Sequence, residues 1–354
     1  MVDGGSRRRA GVAVGALVVV VLVVVAVLLR GRGDDGSLLP TSGSPSPSPS
    51  PSASAARTTT PPPVSPFTGL AVAPGRPVLG VKVDNVREAR PPTGLTSADV
   101  VYVEPVEGGL SRLLAVFSSR LPKSVGPVRS ARESDLELLR QFGHPALAFS
   151  GANRKVLRLI RAAPVTEVSP DTAGGAYSRS RSRAAPHNLF ANPAELLERA
   201  RGVTAARDVG FRFGPLPAGG VPTASQTVRY PAATTSFRWR GGRWQVAMDG
   251  RPATTTDVGV GGGEKDQRPQ LAASTVVIQY VTVGASRFHD TLGNVSPYAH
   301  TVGSGTAVVL RDGVAIHGRW SRPSATAGTT FTTDAGAPLT FARGQVWVVL
   351  AARS

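Results

Sequence analysis

Short runs of β-branched and aliphatic residues, bounded by Gly, Pro and Asn, dominate the chain from about residue 66. The segments PVLGVKV (77–83), VVYV (100–103) and LLAVFS (113–118) are largely apolar and end at turn-forming residues. Runs of this kind are typical of β-strands that are covered on both faces. The pattern therefore predicts buried strands in this part of the chain.

Helical patterns alternate with these strands. A further strand is predicted over 145–149, and apolar residues follow it at helical spacing over 156–160. Asn192, Pro193 and Glu195 supply the cap, the first-turn proline and the first-turn carboxylate of another helix. Alternation of strands and helices predicts an α/β or α+β arrangement.

After about residue 216 the pattern changes to short strands and tight turns. FRWRGGRWQV (237–246) predicts a hairpin that turns at two glycines, and TAVVLRDGVAIHGRW (306–320) predicts one that turns at Asp-Gly. This half of the chain is therefore predicted to be rich in β-structure.

The N-terminal part has a different character. Residues 1–9 form a basic tail before the uncharged apolar run 10–29, which is long enough to cross a bilayer and would leave the N-terminus in the cytoplasm. A cleaved signal peptide is the alternative. Residues 30–65, rich in Pro, Ser and Thr, predict a disordered stalk. We therefore expect a single-pass cell-membrane protein whose extracytoplasmic part has an N-terminal α/β domain (66–215) and a C-terminal β-rich domain (216–354).

Charge and cysteine content restrict the chemistry. The chain holds 40 Lys and Arg against 23 Asp and Glu, a formal net charge of +17 at pH 7. This balance favours contact with anionic polymers or lipid head groups. The chain contains no cysteine, which excludes disulfides, thiolate zinc sites, a cysteine nucleophile and lipid attachment through cysteine.

Two arginines flank a predicted helix start. Ser130 and Glu133 have the spacing of a capping box, so a helix should begin at Ser130. Its free N–H groups, with Arg129 before them and Arg132 in the first turn, would suit a phosphate or carboxylate. The sequence predicts an anion site here.

Several longer motifs resemble those of one known family. They are PVLGVKVDN (77–85), ARPPTGLTSADVVYVEPVEGGLSRLLAVF (89–117), GPVRSAR (126–132), APHNLF (185–190), VGSGTAVVLRDG (302–313), HGRW (317–320) and GQVWVV (344–349). On these motifs the chain resembles the YerB-like family, bacterial envelope proteins described by a domain of unknown function. The resemblance implies an α+β layered sandwich of two β-sheets with helices, and it implies no settled activity. Relatives are commonly lipoproteins, whereas this sequence carries an apolar run without cysteine.

Polar side chains near the ends of the predicted strands form the candidate site, because such positions often line a cleft in layered α/β structures. The candidate catalytic residues are Asp84, Glu104, Glu107 and His187. The candidate ligand-binding residues are Asn85, Arg112, Arg129, Ser130, Arg132 and Asn188.

Three interpretations of these residues remain open. The carboxylates and arginines form a buried structural network, or they bind an anion without chemistry, or they carry acid/base or metal-assisted catalysis. We favour the structural network, because structural ion pairs mimic active sites. His187 is expected to hydrogen-bond within its own loop, since no second His supports a metal site, and no cofactor motif is present.

The predicted partners follow from charge and location. SRSRSR (178–183) and an arginine face over 154–161 would form a basic patch. We expect an anionic cell-wall polymer, a lipid phosphate or an envelope protein as partner, and no nucleic acid, because the anchor directs the domain away from it. The predicted function is a binding or scaffold module. The alternatives are a hydrolase or phosphotransferase acting on a phosphorylated cell-wall precursor, and a purely structural protein interaction module.

Overall fold

The computed structural model describes residues 63–256, 269–290 and 292–353. The predicted anchor (10–29) and nearly all of the predicted stalk lie outside these residues. Within the described ranges, no helix combines the length and the apolar character needed to span a bilayer. Val64, just before the predicted start of the N-terminal domain at residue 66, forms a β-bridge with Ala71.

The described residues form twenty strands and four short α-helices. The strands are β1 (Leu79–Val83), β2 (Val100–Pro105), β3 (Ser111–Phe117), β4 (Ala146–Ala148), β5 (Thr166–Glu167), β6 (Tyr177–Arg179), β7 (Leu189–Ala191), β8 (Val221–Pro222), β9 (Ser225–Tyr230), β10 (Ala233–Arg240), β11 (Arg243–Met248), β12 (Arg251–Pro252), β13 (Ala272–Ala273), β14 (Thr275–Val281), β15 (Val283–His289), β16 (Val295–Ala299), β17 (Gly303–Arg311), β18 (Val314–Arg322), β19 (Thr330–Thr333) and β20 (Val346–Ala352). The helices are α1 (Glu133–Leu139), α2 (Arg154–Ala162), α3 (Pro170–Ala173) and α4 (Pro193–Arg199).

One sheet of eleven strands unites the two halves of the chain. Its order is β19-β18-β17-β14-β20-β2-β3-β1-β4-β5, with β8 beside β18. Strand β20 lies between β2 and β14 and runs parallel to both, so that Val346 pairs with Val100 on one side and with Thr275 on the other. Strands from both sides of the predicted boundary at 215/216 thus share one hydrogen-bonded sheet.

Apolar side chains cover both faces of this sheet. On one face, Phe237 of a five-stranded sheet (β12-β11-β10-β9 with β13) packs against Trp347, with ring centroids 6.1 Å apart. On the other face, α1 and α2 contribute Leu138, Leu139 and Ile160 to a second core. The strands predicted to be buried are buried, and the α+β class with several sheets is confirmed.

Both predicted hairpins are confirmed. Strands β10 and β11 pair around Gly241-Gly242, and β17 and β18 pair around Asp312-Gly313. All four turn residues have positive φ, between 47° and 79°. Two consecutive residues with positive φ give the turn a twist that matches that of the strands, which explains the Gly-Gly and Asp-Gly pairs.

The predicted helix start at Ser130 is wrong. Helix α1 begins at Glu133, with Arg132 as its N-cap residue, and the Asp135 carboxylate accepts the Arg132 backbone N–H at 2.7 Å. Glu133, the expected capping partner, instead accepts a hydrogen bond from Ser286 at 2.7 Å. The chain is still extended at Ala131, whose N–H donates to the Gly151 carbonyl. The anion site predicted on a helix beginning at Ser130 therefore does not exist in that form.

The other predicted helix starts are present. Asn192 precedes α4 and its side-chain oxygen accepts from the N–H groups of Ala194 and Glu195 at 3.1 and 3.4 Å. Asn153 caps α2 in the same way, through the N–H of Lys155 at 2.9 Å. These caps satisfy backbone donors that have no partner within the helix.

Candidate functional site

Glu104 lies in a buried triad that the sequence analysis did not find. Lys82 of β1 donates to Glu104 of β2 and, at 2.6 Å, to Asp135 of α1. All three side chains are almost completely excluded from solvent. With every group ionised, the triad would carry a net negative charge in an apolar interior, which costs free energy.

Burial accordingly raises the pKa of the Glu104 carboxyl to about 8. The negative charge of Asp135 also raises this pKa, whereas the positive charge of Lys82 opposes the shift. Glu104 is therefore a buried partner of Lys82 in the core. The one signal in the sequence was Lys82 itself, the single charged residue within the apolar strand LGVKV.

Asp84 joins two residues from distant parts of the chain. It follows β1, its side chain is 1% exposed, and one carboxylate oxygen lies 2.9 Å from Arg129 Nε and 2.8 Å from His187 Nδ1. The expectation that His187 bonds within its own loop is wrong, because its partner lies 103 residues away. Such a contact keeps a neutral imidazole protonated on Nδ1 and leaves Nε2 as the acceptor.

Glu107 and Arg132 form a two-point ion pair. Arg132 Nε and Nη2 lie 2.5 and 2.7 Å from the two Glu107 oxygens, and Ser296 donates to the same carboxylate. Burial alone would raise the pKa of Glu107, but the Arg132 and Ser296 contacts outweigh it, and the pKa lies below its usual range. Glu107 is thus held as an ionised partner of Arg132.

A cavity of about 830 Å³ opens beside these groups. Its lining includes four arginines and two carboxylates, namely Arg112, Arg129, Arg132, Arg154, Glu107 and Asp290. One wall is the end of the large sheet with residues 129–132 and the start of α2. Other lining residues come from the arm, defined here as strands β15 and β16 with Asp290, Leu292 and Asn294 of the turn between them. These two strands pair only with each other among the described strands.

Arg112 is the most buried cation of this cavity. Arg112 belongs to β3, and the residue is 7% exposed. Nη1 donates to the Ser130 carbonyl at 3.3 Å, and no described carboxylate lies within ion-pair distance of it. Burial, with the repulsion of Arg132 and Arg129, lowers the pKa of Arg112 to about 10, and the charges of Asp84 and Glu107 oppose this shift. The guanidinium stays charged at neutral pH.

Of the remaining predicted residues, Asn85 and Asn188 bond to other partners, whereas Ser130 contacts this cation. Asn85 is buried and bonds to Ser111 at 2.9 Å and to Arg90. Asn188 accepts from Arg179 at 2.7 Å within its own loop. Ser130 lines the cavity and its carbonyl is the acceptor for Arg112.

His187 lines a second cavity of about 560 Å³, together with Ser182 and Arg183. The imidazole, the carboxylates and the arginines that were predicted to converge therefore do not share one pocket. In the described part of the chain, no three His, Asp or Glu side chains are grouped as metal ligands.

The predicted basic patch is divided. Arg154 lines the larger cavity, while Arg161 pairs with Glu167 at 3.0 Å. Arg183 in the SRSRSR segment donates to the backbone carbonyls of Ala89 and Pro91, so it holds its loop in place. Sequence reasoning missed the arm, which contributes Phe288 and Leu292 to the lining of the cavity, because no motif marked it.

Comparison with known proteins identifies relatives for almost the whole described region. Residues 67–206 match the family described as a protein of unknown function (DUF3048), N-terminal domain, and residues 226–348 match its C-terminal domain. The predicted boundary at 215/216 lies between the two matched segments.

Two findings concern YerB of Bacillus subtilis. Over 82 residues, 22% of this chain and 24% of the relative, the sequence is 46% identical to YerB of strain 168, whose name marks it as a candidate lipoprotein. The crystal structure of YerB has a TM-score of 0.66 and 21% identity, covering 81% of this chain and 96% of that chain. At this identity the structural likeness shows the fold alone.

Proposed function

We propose that the arginine-lined cavity of this chain, which belongs to the YerB-like family (DUF3048), binds an anionic group. The description of this family assigns no function. The observation that carries the proposal is Arg112, a buried cation that faces the cavity with one described hydrogen bond and no carboxylate partner. Buried charges in proteins are generally paired. An anion in the cavity would supply the missing partner.

The surrounding charges support an anionic ligand. Arg154 also lines the cavity, and it has no ion-pair partner among the described residues. Guanidinium groups present a planar fork of donors that suits phosphate and carboxylate oxygens. Arg129, which shares Asp84 with His187, would add a third cation at the edge of the site.

Binding fits this geometry better than catalysis. Glu104 is withdrawn into the triad with Lys82, and Glu107 is fixed on Arg132. His187 faces the other cavity. The arginines are thus left without a free acid or base among the predicted catalytic residues, so we place the hydrolase or phosphotransferase alternative second.

We further propose that the chain acts in the cell envelope as a binding or scaffold module. The relative YerB is named as a candidate lipoprotein, and residues 10–29 of this chain have the composition of a membrane anchor. With the N-terminus of the chain in the cytoplasm, the domain that holds the arginine-lined cavity would lie outside the membrane. The cavity would then be accessible to wall polymers and lipid phosphates.

Replacing Arg112 with Gln tests the proposal. Titration of the purified protein with phosphate and pyrophosphate, followed by calorimetry, should show affinity at least about tenfold lower in Arg112→Gln, because charge-assisted hydrogen bonds are lost. Arg154→Gln, at an exposed position of the cavity, should also weaken binding and is the less disruptive variant.

Arg240→Gln is the matched control, since this exposed arginine of β10 lies outside the cavity and removes the same charge. Equal affinity in all four proteins would refute the site. An equal loss in all three variants would indicate general charge attraction instead.

A further inference from the structure

We infer that the anion bound in the arginine-lined cavity carries an apolar group, so that the ligand is an amphiphilic anion of the alkyl or acyl phosphate class. This inference rests on the proposed function and adds the chemical class of the ligand. It comes from the apolar side chains that line the cavity together with the arginines.

Apolar side chains line the cavity among the polar ones. Phe288 of β15 and Leu292 beyond it line it on the arm, next to the polar side chains of His289, Asp290, Asn294 and Ser296. The apolar lining continues with Val156 on α2 and with Val106 and Leu110 on the sheet side. A ligand in the cavity would therefore meet both cationic donors and hydrocarbon.

Leu292 is the most informative of these residues. It is 85% exposed, the highest value among the exposed large apolar side chains of the described residues. The neighbouring backbone is well fixed, because Asp290 accepts the N–H groups of Leu292 and Asn294 at 2.9 Å each. Covering this exposed leucine with the apolar part of a ligand would remove it from water, which is favourable.

Hydrogen bonds to α1 and to the residue before α2 hold the arm in place. Ser286 donates to Glu133 at 2.7 Å, Tyr298 donates to Glu137 at 3.1 Å, and Asn153 donates to the His289 carbonyl at 3.0 Å. These contacts within the protein fix the position of the arm relative to α1 and the start of α2. A largely preformed pocket is what ligand binding requires.

The size of the cavity leads to the same ligand class. At about 830 Å³ it falls within the range of roughly 300–1,000 Å³ that is typical of sites for whole small molecules. An inorganic phosphate on Arg112 would leave most of this volume to water next to Phe288 and Val156. An attached hydrocarbon would fill that space and release the water.

Calorimetric titration of the purified full-length protein with methyl, butyl and octyl phosphate, below their micellar concentrations, tests the inference. Each methylene that enters the cavity should raise the affinity by up to about fourfold, until the chain extends beyond the apolar side chains of the lining. Leu292→Ser should lower the affinity for octyl phosphate severalfold and leave that for methyl phosphate unchanged. Leu216→Ser is the matched control, because Leu216 is exposed and lies outside the cavity.

The outcomes separate this inference from the proposed function. Equal affinities for the three alkyl phosphates, all weakened by Arg112→Gln, would overturn the amphiphilic ligand and keep the anion site. Absence of binding by every phosphate would overturn both. Octyl phosphate that binds equally well to Arg112→Gln would also overturn the inference, since the charged end would then contribute nothing.

A competition experiment identifies the source of the ligand. Displacement of octyl phosphate by phosphatidylcholine vesicles that contain phosphatidic acid, and not by vesicles without it, would point to a membrane lipid. Retention of octyl phosphate against both vesicles would point to a water-soluble amphiphile. Either result supports the shared chemistry.

Discussion

Replacing Glu104 with Gln should remove much of the pH dependence of the protein's stability between pH 4.5 and about 8. In the folded protein, burial holds the pKa of Glu104 at about 8, whereas 4.5 is its value in an exposed chain. The folded state therefore keeps a proton that the unfolded state releases. The resulting stabilisation is complete below pH 4.5 and is lost as the pH rises through about 8.

The size of the effect follows from the two pKa values. One pH unit corresponds to about 1.4 kcal/mol for each proton that differs between the states, so the whole interval corresponds to at most roughly 5 kcal/mol. Water that enters the site when Glu104 ionises would solvate the carboxylate and reduce this figure. Gln keeps an oxygen that accepts from Lys82 and cannot ionise, so the slope should be much smaller in the variant.

Urea unfolding followed by tryptophan fluorescence, at steps of pH from 5 to 8.5, measures this slope directly. Glu198→Gln, at an exposed position, is the matched control and should follow the wild-type curve. If Glu104→Gln loses stability with rising pH as steeply as the wild type, the retained proton does not lie on Glu104, and the reasoning about the triad is refuted.

Two further perturbations test the fold. Gly210→Ala should lower the free energy of unfolding by about 2–4 kcal/mol, because φ is +91° and a Cβ would lie 2.4 Å from the Thr329 carbonyl oxygen. Gly241 has open space around it, so Gly241→Ala should lower the free energy of unfolding by only about 1 kcal/mol in the same urea titration. Equal losses in the two variants would contradict this reasoning. Deletion of residues 1–59 should leave a protein with cooperative urea unfolding, since Thr60–Ser354 forms one compact unit, and a broad, non-cooperative transition would count against that boundary.

Local patterns account for what the sequence predicted well. The buried strands and the two hairpins depend on alternation and turn residues that lie within a few positions of each other, such as Asp312-Gly313. The helix start at Ser130 failed for a related reason. Two capping arrangements overlap within six residues, and in the structure Asp135 caps Arg132 while Glu133 accepts a hydrogen bond from Ser286 of the arm.

Long-range contacts account for what the sequence did not predict. Lys82 meets partners that lie 22 and 53 residues away, and His187 meets Asp84 across 103 residues. No spacing rule connects such positions, because only the sheet order brings them together. The candidate residues were thus identified as chemical groups, while their division between a buried triad, two ion pairs and a cavity required the structure.

The place of β20 constrains how the protein comes to be folded. This strand is the last in sequence order among the described strands, yet it lies inside the largest sheet, parallel to β2 and β14. Until it is inserted, β2 and β14 each present an unpaired edge, and the pairing of Val346 with Val100 joins positions that are far apart in the sequence. The large sheet is therefore complete only when strands from both halves have met. We expect slow folding, and a need for protection from strand-to-strand association until β20 is inserted.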